Sequence, residues 1–188
     1  MNYLEVIKKD LDTLMDISAG EYADLSPYLR IRSYEKNSFI IKEGQVEDHY
    51  RYLLSGIIGL FEKIEDKPVC RRLFTETDIA IDFVSYFFQA PSDFHLKAYT
   101  DCIVCELNRK DVDIIYRNFW KFSQLGSRLN QRCIVRELAW RKMLWNKPLE
   151  TYNEFLRLFP KANMIKIKDI SGVLNIPERT LNRLRGAK

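Results

Sequence analysis

Seven short apolar segments, each bounded by turn residues, crowd the middle of the chain and restrict its fold more than any other feature. They cover residues 31–34, 39–42, 50–54, 57–61, 70–74, 95–99 and 103–107, and β-branched or aromatic side chains dominate them. Turn signals separate them: Glu35-Lys36-Asn37, Glu43-Gly44, Ser55-Gly56, Asp66-Lys67-Pro68 and Thr100-Asp101. Short strands at this spacing predict a β-sandwich or a jelly-roll barrel rather than a parallel sheet with crossover helices. Ser55-Gly56 lies between two apolar strands, where glycine can supply positive φ, and is expected to form a two-residue hairpin loop.

Helical patterns flank the strands. Leu4, Ile7, Leu11 and Leu14 follow a helical period, and Ser18-Ala19-Gly20-Glu21 has the capping-box pattern that opens a second helix. After the strands, residues 109–145 read as one long helix, with no proline before Pro148. Phe122, Leu125, Leu129, Cys133, Trp140 and Leu144 form an apolar seam along it, and Arg128, Arg132, Arg136, Arg141 and Lys142 cover much of the rest. A single seam on a long helix predicts pairing with a second copy, the alternative being that it packs on its own barrel. Gly126, and Arg132 and Arg136 near the seam, weaken it as a regular coiled coil. Residues 149–159 form a further amphipathic helix, stopped by Pro160.

The C-terminal stretch carries the candidate function. Ile170, Val173 and Leu174 recur at helical spacing, Asn175-Ile176-Pro177 interrupts them, and Leu181 and Leu184 begin a second stripe. Asn175 suits the left-handed conformation of a tight turn, and Pro177 can open a helix. Glu178, Arg179, Asn182, Arg183 and Arg185 then face away from the leucines. Long polar side chains on a short helix are suited to reading base edges in a major groove, so a helix-turn-helix is expected. The plainer reading is a solvated face on a small helical subdomain. From Lys161 to Lys188 seven Lys/Arg oppose Asp169 and Glu178, a local net charge of +5; the whole chain carries +4, which leaves −1 for the first 160 residues. A basic segment concentrated on one element is the electrostatic footprint of phosphate binding.

Several classes are disfavoured. Hydrophobic residues at 46% and aromatics at 13% exclude a disordered chain. No apolar run approaches the ~20 residues of a membrane span, and nothing resembles a signal peptide, so a cytoplasmic protein without membrane contact is expected. Cys70, Cys102, Cys105 and Cys133 are scattered, and Cys102 and Cys105 stand three apart on a strand, pointing to opposite faces. Neither a metal nor a cofactor is expected. His49 and His95 are the only histidines, without the HxH arrangement of a metal-dependent barrel enzyme, so no enzymatic activity is expected.

Nearly the whole chain resembles the Crp–Fnr family of transcription regulators. The resemblance rests on Ile40-Ile41-Lys42-Glu43-Gly44, on the stretch from Tyr52 to Leu60, on Tyr152-Asn153-Glu154-Phe155-Leu156-Arg157-Leu158-Phe159-Pro160, and on the stretch from Leu174 to Arg183. It implies an α+β fold: a cyclic-nucleotide-binding-like jelly-roll barrel with N-terminal helices over residues 1–110, a dimerisation helix over 111–147, and a helix-turn-helix over 148–188. By position it makes Glu178, Arg179 and Arg183 base readers and Lys166, Lys168, Thr180 and Arg185 phosphate contacts. The implied partners are double-stranded DNA, a second copy of the chain, RNA polymerase and an unidentified small-molecule effector. The usual Arg-Glu order at the helix start is reversed as Glu178-Arg179, and no β-wing follows before Lys188.

The family's nucleotide cassette is not matched. Where that cassette has a Gly-Glu step and an arginine, residues 77–92 contain neither glycine nor arginine, and Ser92 stands in the arginine's place. Asp78 and Asp82 would repel a phosphate, so cyclic-nucleotide binding is not expected. Phe83, Phe87, Ser92 and Lys97 are the candidate lining of a pocket for a different effector. A ligand-sensing or protein-interaction module with a shortened, non-productive DNA-binding unit stays open as the alternative.

Overall fold

The computed structural model describes residues 2–186. Helix α1 (Tyr3–Leu11) buries Ile7 and Leu11. Helix α2 (Ala19–Leu25) starts at Ser18, whose hydroxyl accepts the Glu21 N–H while the Glu21 carboxylate returns to the Ser18 N–H: the expected capping box. Seven strands follow, β1 (Leu29–Tyr34), β2 (Phe39–Ile41), β3 (His49–Ser55), β4 (Ile58–Ile64), β5 (Lys67–Phe74), β6 (Phe94–Ala98) and β7 (Cys102–Asn108), with helix α3 (Phe83–Phe88) before β6. They form two antiparallel sheets, one ordered β1-β7-β3 and the other β2-β6-β4-β5.

The expected hairpin at Ser55-Gly56 does not form, because β3 and β4 belong to different sheets. Gly56 has φ +98°, as anticipated, but it turns the chain from one sheet to the other. A Cβ there would lie 2.4 Å from the Asp101 carbonyl oxygen, so a close approach requires the glycine as well as its backbone angle. The true two-residue turn joins β4 to β5 at Glu65-Asp66, both at positive φ, one residue earlier than the sequence signal at Asp66-Lys67-Pro68. Pro68 falls in β5, an edge strand, where a missing N–H is tolerated.

Three apolar cores stack through the molecule. Leu53, Ile58, Phe74, Leu96 and Val104 fill the space between the sheets. On the outer face of the three-stranded sheet, Tyr52, Ile79 and Cys105 meet Ile7, Leu11, Tyr22 and Leu25 from the N-terminal helices. On the outer face of the other sheet, Phe61, Cys70 and Leu73 meet the C-terminal helices. Cys102 and Cys105 lie in different cores, on opposite faces of β7, as the strand reading requires.

The long helix is interrupted. Helix α4 (Arg109–Asn118) ends at Phe119, whose backbone (φ −128°, ψ 83°) is not helical, and helix α5 (Trp120–Leu144) begins afresh. Phe119 sits edge-on to Tyr28 and Phe122, so aromatic packing rather than proline makes the break. The expected dimer seam is intramolecular. Phe122 and Leu125 are buried beside the N-terminal helices, with Leu129 and Cys133 against them, while Trp140 and Met143 enter the core under the C-terminal helices. From Phe122 to Met143 the helix rises about 32 Å, long enough to tie the two outer cores together. A different stripe is exposed: Ile134 at 60%, Val135 at 64% and Leu138 at 60%. Arg132 and Arg136 grip the strand-side loop, Arg136 donating to the Thr77 carbonyl at 2.9 Å and to Asp78 Oδ1 at 2.7 Å. Arg132 reaches Asp10 Oδ2 at 2.8 Å and the Thr77 carbonyl at 3.2 Å.

Candidate nucleic-acid interface

Helix α6 (Pro148–Leu158) leads into a pair of short helices, α7 (Ile167–Leu174) and α8 (Glu178–Gly186). The turn between them forms as its residues dictate. Asn175 adopts the left-handed conformation (φ 53°, ψ 37°), and the Pro177 carbonyl accepts the Leu181 N–H at 3.1 Å. Ile170, Val173, Leu174, Ile176 and Leu181 are buried and fix the two helices to each other and to Phe155, Phe159 and Trp140.

The pair is seated on the strands. The Tyr99 hydroxyl donates to Asp169 Oδ2 at 2.8 Å and accepts the Lys166 N–H at 2.6 Å. Burial pushes the Tyr99 hydroxyl well above the ordinary phenol range, so it stays protonated and keeps its donor role. Gly172 rests against β5, where a Cβ would lie 2.8 Å from the Cys70 carbonyl oxygen. Any larger residue would lift α7 from its seat.

On this scaffold Glu178, Arg179, Asn182, Arg183 and Arg185 are exposed, as are Lys166 and Lys168, while Thr180 is half-buried. Arg179 and Arg183 stand one turn apart on α8 and share a face, as do Glu178 and Asn182. Among the described residues none of these side chains makes a hydrogen bond or an ion pair. The arrangement can present a fork of guanidinium donors, a carboxylate acceptor and an amide to an external partner. Ala187 and Lys188, the latter part of the basic count, lie outside the described residues.

The four candidate effector-pocket residues are not brought together. Phe83 and Phe87 line a groove of about 1050 Å³ between the four-stranded sheet, residues 78–87 and α5. Ser92 is buried elsewhere, its hydroxyl donating to Asp82 Oδ2 at 2.6 Å. Lys97 projects outward from β6, between the inward-facing Leu96 and Ala98, and lies 5.4 Å from the Phe39 ring centre. Strand alternation put Lys97 on the wrong face. The other Asp82 oxygen accepts the Val84 and Ser85 N–H groups, so a resident carboxylate caps α3. Two residues of the groove's lining, Arg72 and Glu137, were flagged by no motif. Arg72 lies 5.1 Å from the Trp140 ring centre and pairs with Glu137 at 2.8 Å.

Glu47, Asp48 and His49 lie within metal-ligand reach of one another. Glu47 is fully buried, and both its oxygens are occupied, one by Arg51 at 2.6 Å and the other by the Asp48 and His49 N–H groups. Arg51 also reaches Glu106 at 3.0 Å, which makes this a buried structural network.

Residues 31–119 match the family model for the cyclic nucleotide-binding domain. No curated protein matches the chain in sequence. Among solved structures, a cyclic nucleotide-binding domain from Methylobacillus flagellatus superposes with a TM-score of 0.64 at 17% identity, covering 85% of this chain and 84% of that one. The c-di-GMP-responsive global regulator CLP of Xanthomonas campestris gives 0.66 at 11% identity, covering 90% and 91%. FixK2 from Bradyrhizobium japonicum gives 0.66 at 14% identity, covering 85% and 83%. At these identities the likeness establishes the fold alone. The matched domain and these neighbours are binding domains and regulators, and nothing in them points to catalysis. Among the described residues no helix is long and apolar enough to cross a membrane.

Proposed function

We propose that this protein is a sequence-specific DNA-binding transcription regulator of the Crp–Fnr type, with α7 and α8 as its helix-turn-helix. The observation that carries the reading is the state of α8. Its charged residues and Asn182 are exposed and without partners among the described residues, on a buried apolar scaffold, in a segment of net charge +5. Arg179 and Arg183 suit guanine edges, Glu178 suits cytosine, and Lys166, Lys168, Thr180 and Arg185 suit phosphates. RNA polymerase as a partner belongs to the same reading.

Two features refine it. The exposed α5 stripe of Ile134, Val135 and Leu138 supports a homodimer whose contact lies one helix face away from the seam that spacing alone suggests. Two recognition helices related by a two-fold axis would enter major grooves about 34 Å apart, favouring a palindromic site. The Asp82 carboxylate at the start of α3, tied to Ser92, supports a protein that does not respond to cyclic AMP, because a second anion there would be repelled.

Selection of bound duplexes from a random-sequence pool, at two salt concentrations, tests the proposal. The expected outcome is a palindromic motif with half-sites one helical turn apart and an affinity that falls steeply with salt. Binding without motif enrichment at either salt would sink it and leave the protein-interaction module.

A further inference from the structure

A hollow of about 360 Å³ lies where β1, β3 and β7 meet β2 and the loop after it, and it shares no lining residue with the groove beside α5. Arg51 and Glu106 both line it. Arg51 donates from Nε to Glu106 Oε1 at 3.0 Å and from Nη1 to Glu47 Oε2 at 2.6 Å, while its Nη2 makes no hydrogen bond among the described residues. Glu106 Oε1 accepts from Arg51 and from the Tyr34 hydroxyl, whereas Oε2 accepts no hydrogen bond and has only Arg32 Nε at 3.8 Å. Arg51 is 3% exposed and Glu106 6%. The polar atoms that are both sealed from solvent and unpartnered belong to Asp12, Tyr22 and Arg132, not to this pair. The free donor and the free acceptor of the pair therefore face the hollow. Gln45 adds a second donor: its Oε1 accepts the Lys42 N–H at 2.7 Å, and its amide nitrogen makes no hydrogen bond among the described residues. The loop that carries it is fixed, because the Gly44 N–H donates to the Ser92 carbonyl and the Gln45 carbonyl accepts the Ser92 N–H, both at 2.8 Å. Ile40, Ile41 and Val46 supply an apolar wall.

We infer that this hollow binds a small uncharged polyol of about the size of a monosaccharide ring. Its free groups are two donors and an acceptor, and each hydroxyl of a polyol can both give and accept a hydrogen bond. Neighbouring hydroxyls thus satisfy Arg51 Nη2, the Gln45 amide and Glu106 Oε2 together, while the C–H face of the ring lies on the apolar wall. Partly buried groups left unpaired are costly, so a ligand that completes them is favoured. Anions are rejected. Glu47, Asp48 and Glu106 outnumber Arg51 and Arg32, and Arg51 already holds two carboxylates. A simple cation would leave Arg51 Nη2 without an acceptor. The volume falls within the roughly 300–1,000 Å³ of small-molecule sites. The inference does not depend on DNA reading by α8.

The test titrates the full chain with glucose, galactose and myo-inositol while following the methyl NMR signals of Ile41 and Val46. At least one of the three should give saturable shifts with a Kd on the order of 1 mM. Cyclohexanol, with a single hydroxyl, and glucose 6-phosphate, an anion, should each bind at least about tenfold more weakly. Val46→Trp enlarges a side chain that is 39% exposed at the hollow, and should suppress the Ile41 response with the melting temperature unchanged. Arg51→Lys, which removes Nη2, should weaken binding by about tenfold or more. If that variant fails to fold, Val46→Trp and the unmodified protein decide the matter. No saturable response to any of the three polyols, an equal response to cyclohexanol or glucose 6-phosphate, or a full response in Val46→Trp would overturn the proposal.

Discussion

Helices α5 and α8 both carry arginines one turn apart, and the two sets are wired in opposite ways. On α5, Arg128 donates to the Leu14 carbonyl, while Arg132 and Arg136 converge on Thr77, Asp78 and Asp10. On α8, Arg179 and Arg183 extend from a buried leucine face with no partner among the described residues. Residue type and spacing are the same, so neither distinguishes an internal clamp from a surface made for another molecule. Five N–H donors per guanidinium must be satisfied somewhere. Within α5 the protein satisfies many of them itself; on α8 it leaves them to solvent or a ligand.

That contrast can be broken by substitution. The largest effect should come from Leu181→Ala, which empties a fully buried position beneath α8 and should cost roughly 2–5 kcal/mol in urea unfolding, taking DNA binding with it. Leu138→Glu should abolish self-association in sedimentation equilibrium with little change in melting temperature, because the side chain is exposed. If the protein sediments as before, the α5 stripe is not the contact. Next, Arg136→Ala and Arg183→Ala should separate cleanly. The first should lower stability by roughly 1–3 kcal/mol through its lost charge-assisted bonds. The second should leave stability unchanged and weaken operator binding by roughly 1–3 kcal/mol, relaxing preference at one base position. Equal unfolding curves for the two would erase the distinction. Lys168→Ala should have the smallest effect, weakening all sequences alike and reducing the salt slope by about one.

Much of the fold could be read from the chain because local chemistry and global structure agree. All seven strands fall on β-branched or aromatic segments bounded by turn residues, and Asn175 and the Ser18–Glu21 box behave as isolated motifs do. The errors arise where distant contacts decide. Gly56 has the angle of a hairpin residue, but the approach of Asp101 and Cys102 sends the chain into the other sheet. Phe119 breaks a helix that no proline or glycine marks, through rings at positions 28 and 122. Helix α5 has apolar residues on two faces, and spacing alone cannot say which lies inward. For the candidate sites the pattern repeats. The exposed face of α8 was legible because a helix face follows from sequence order. The effector pocket was not, because Ser92 and Lys97 are placed by the Asp82 bond and by strand alternation.

The seat of α7 on β5 has a mechanical consequence. With only the hydrogen of Gly172 between helix backbone and the Cys70 carbonyl, and Tyr99 joining Asp169 to the Lys166 N–H, little slack separates strand from helix. A small tilt of the β4–β5 ribbon would therefore swing the tip of α8 as a rudder follows its tiller. In a symmetric pair the two deflections would add, so whatever leans on that ribbon sets the gap between the two tips.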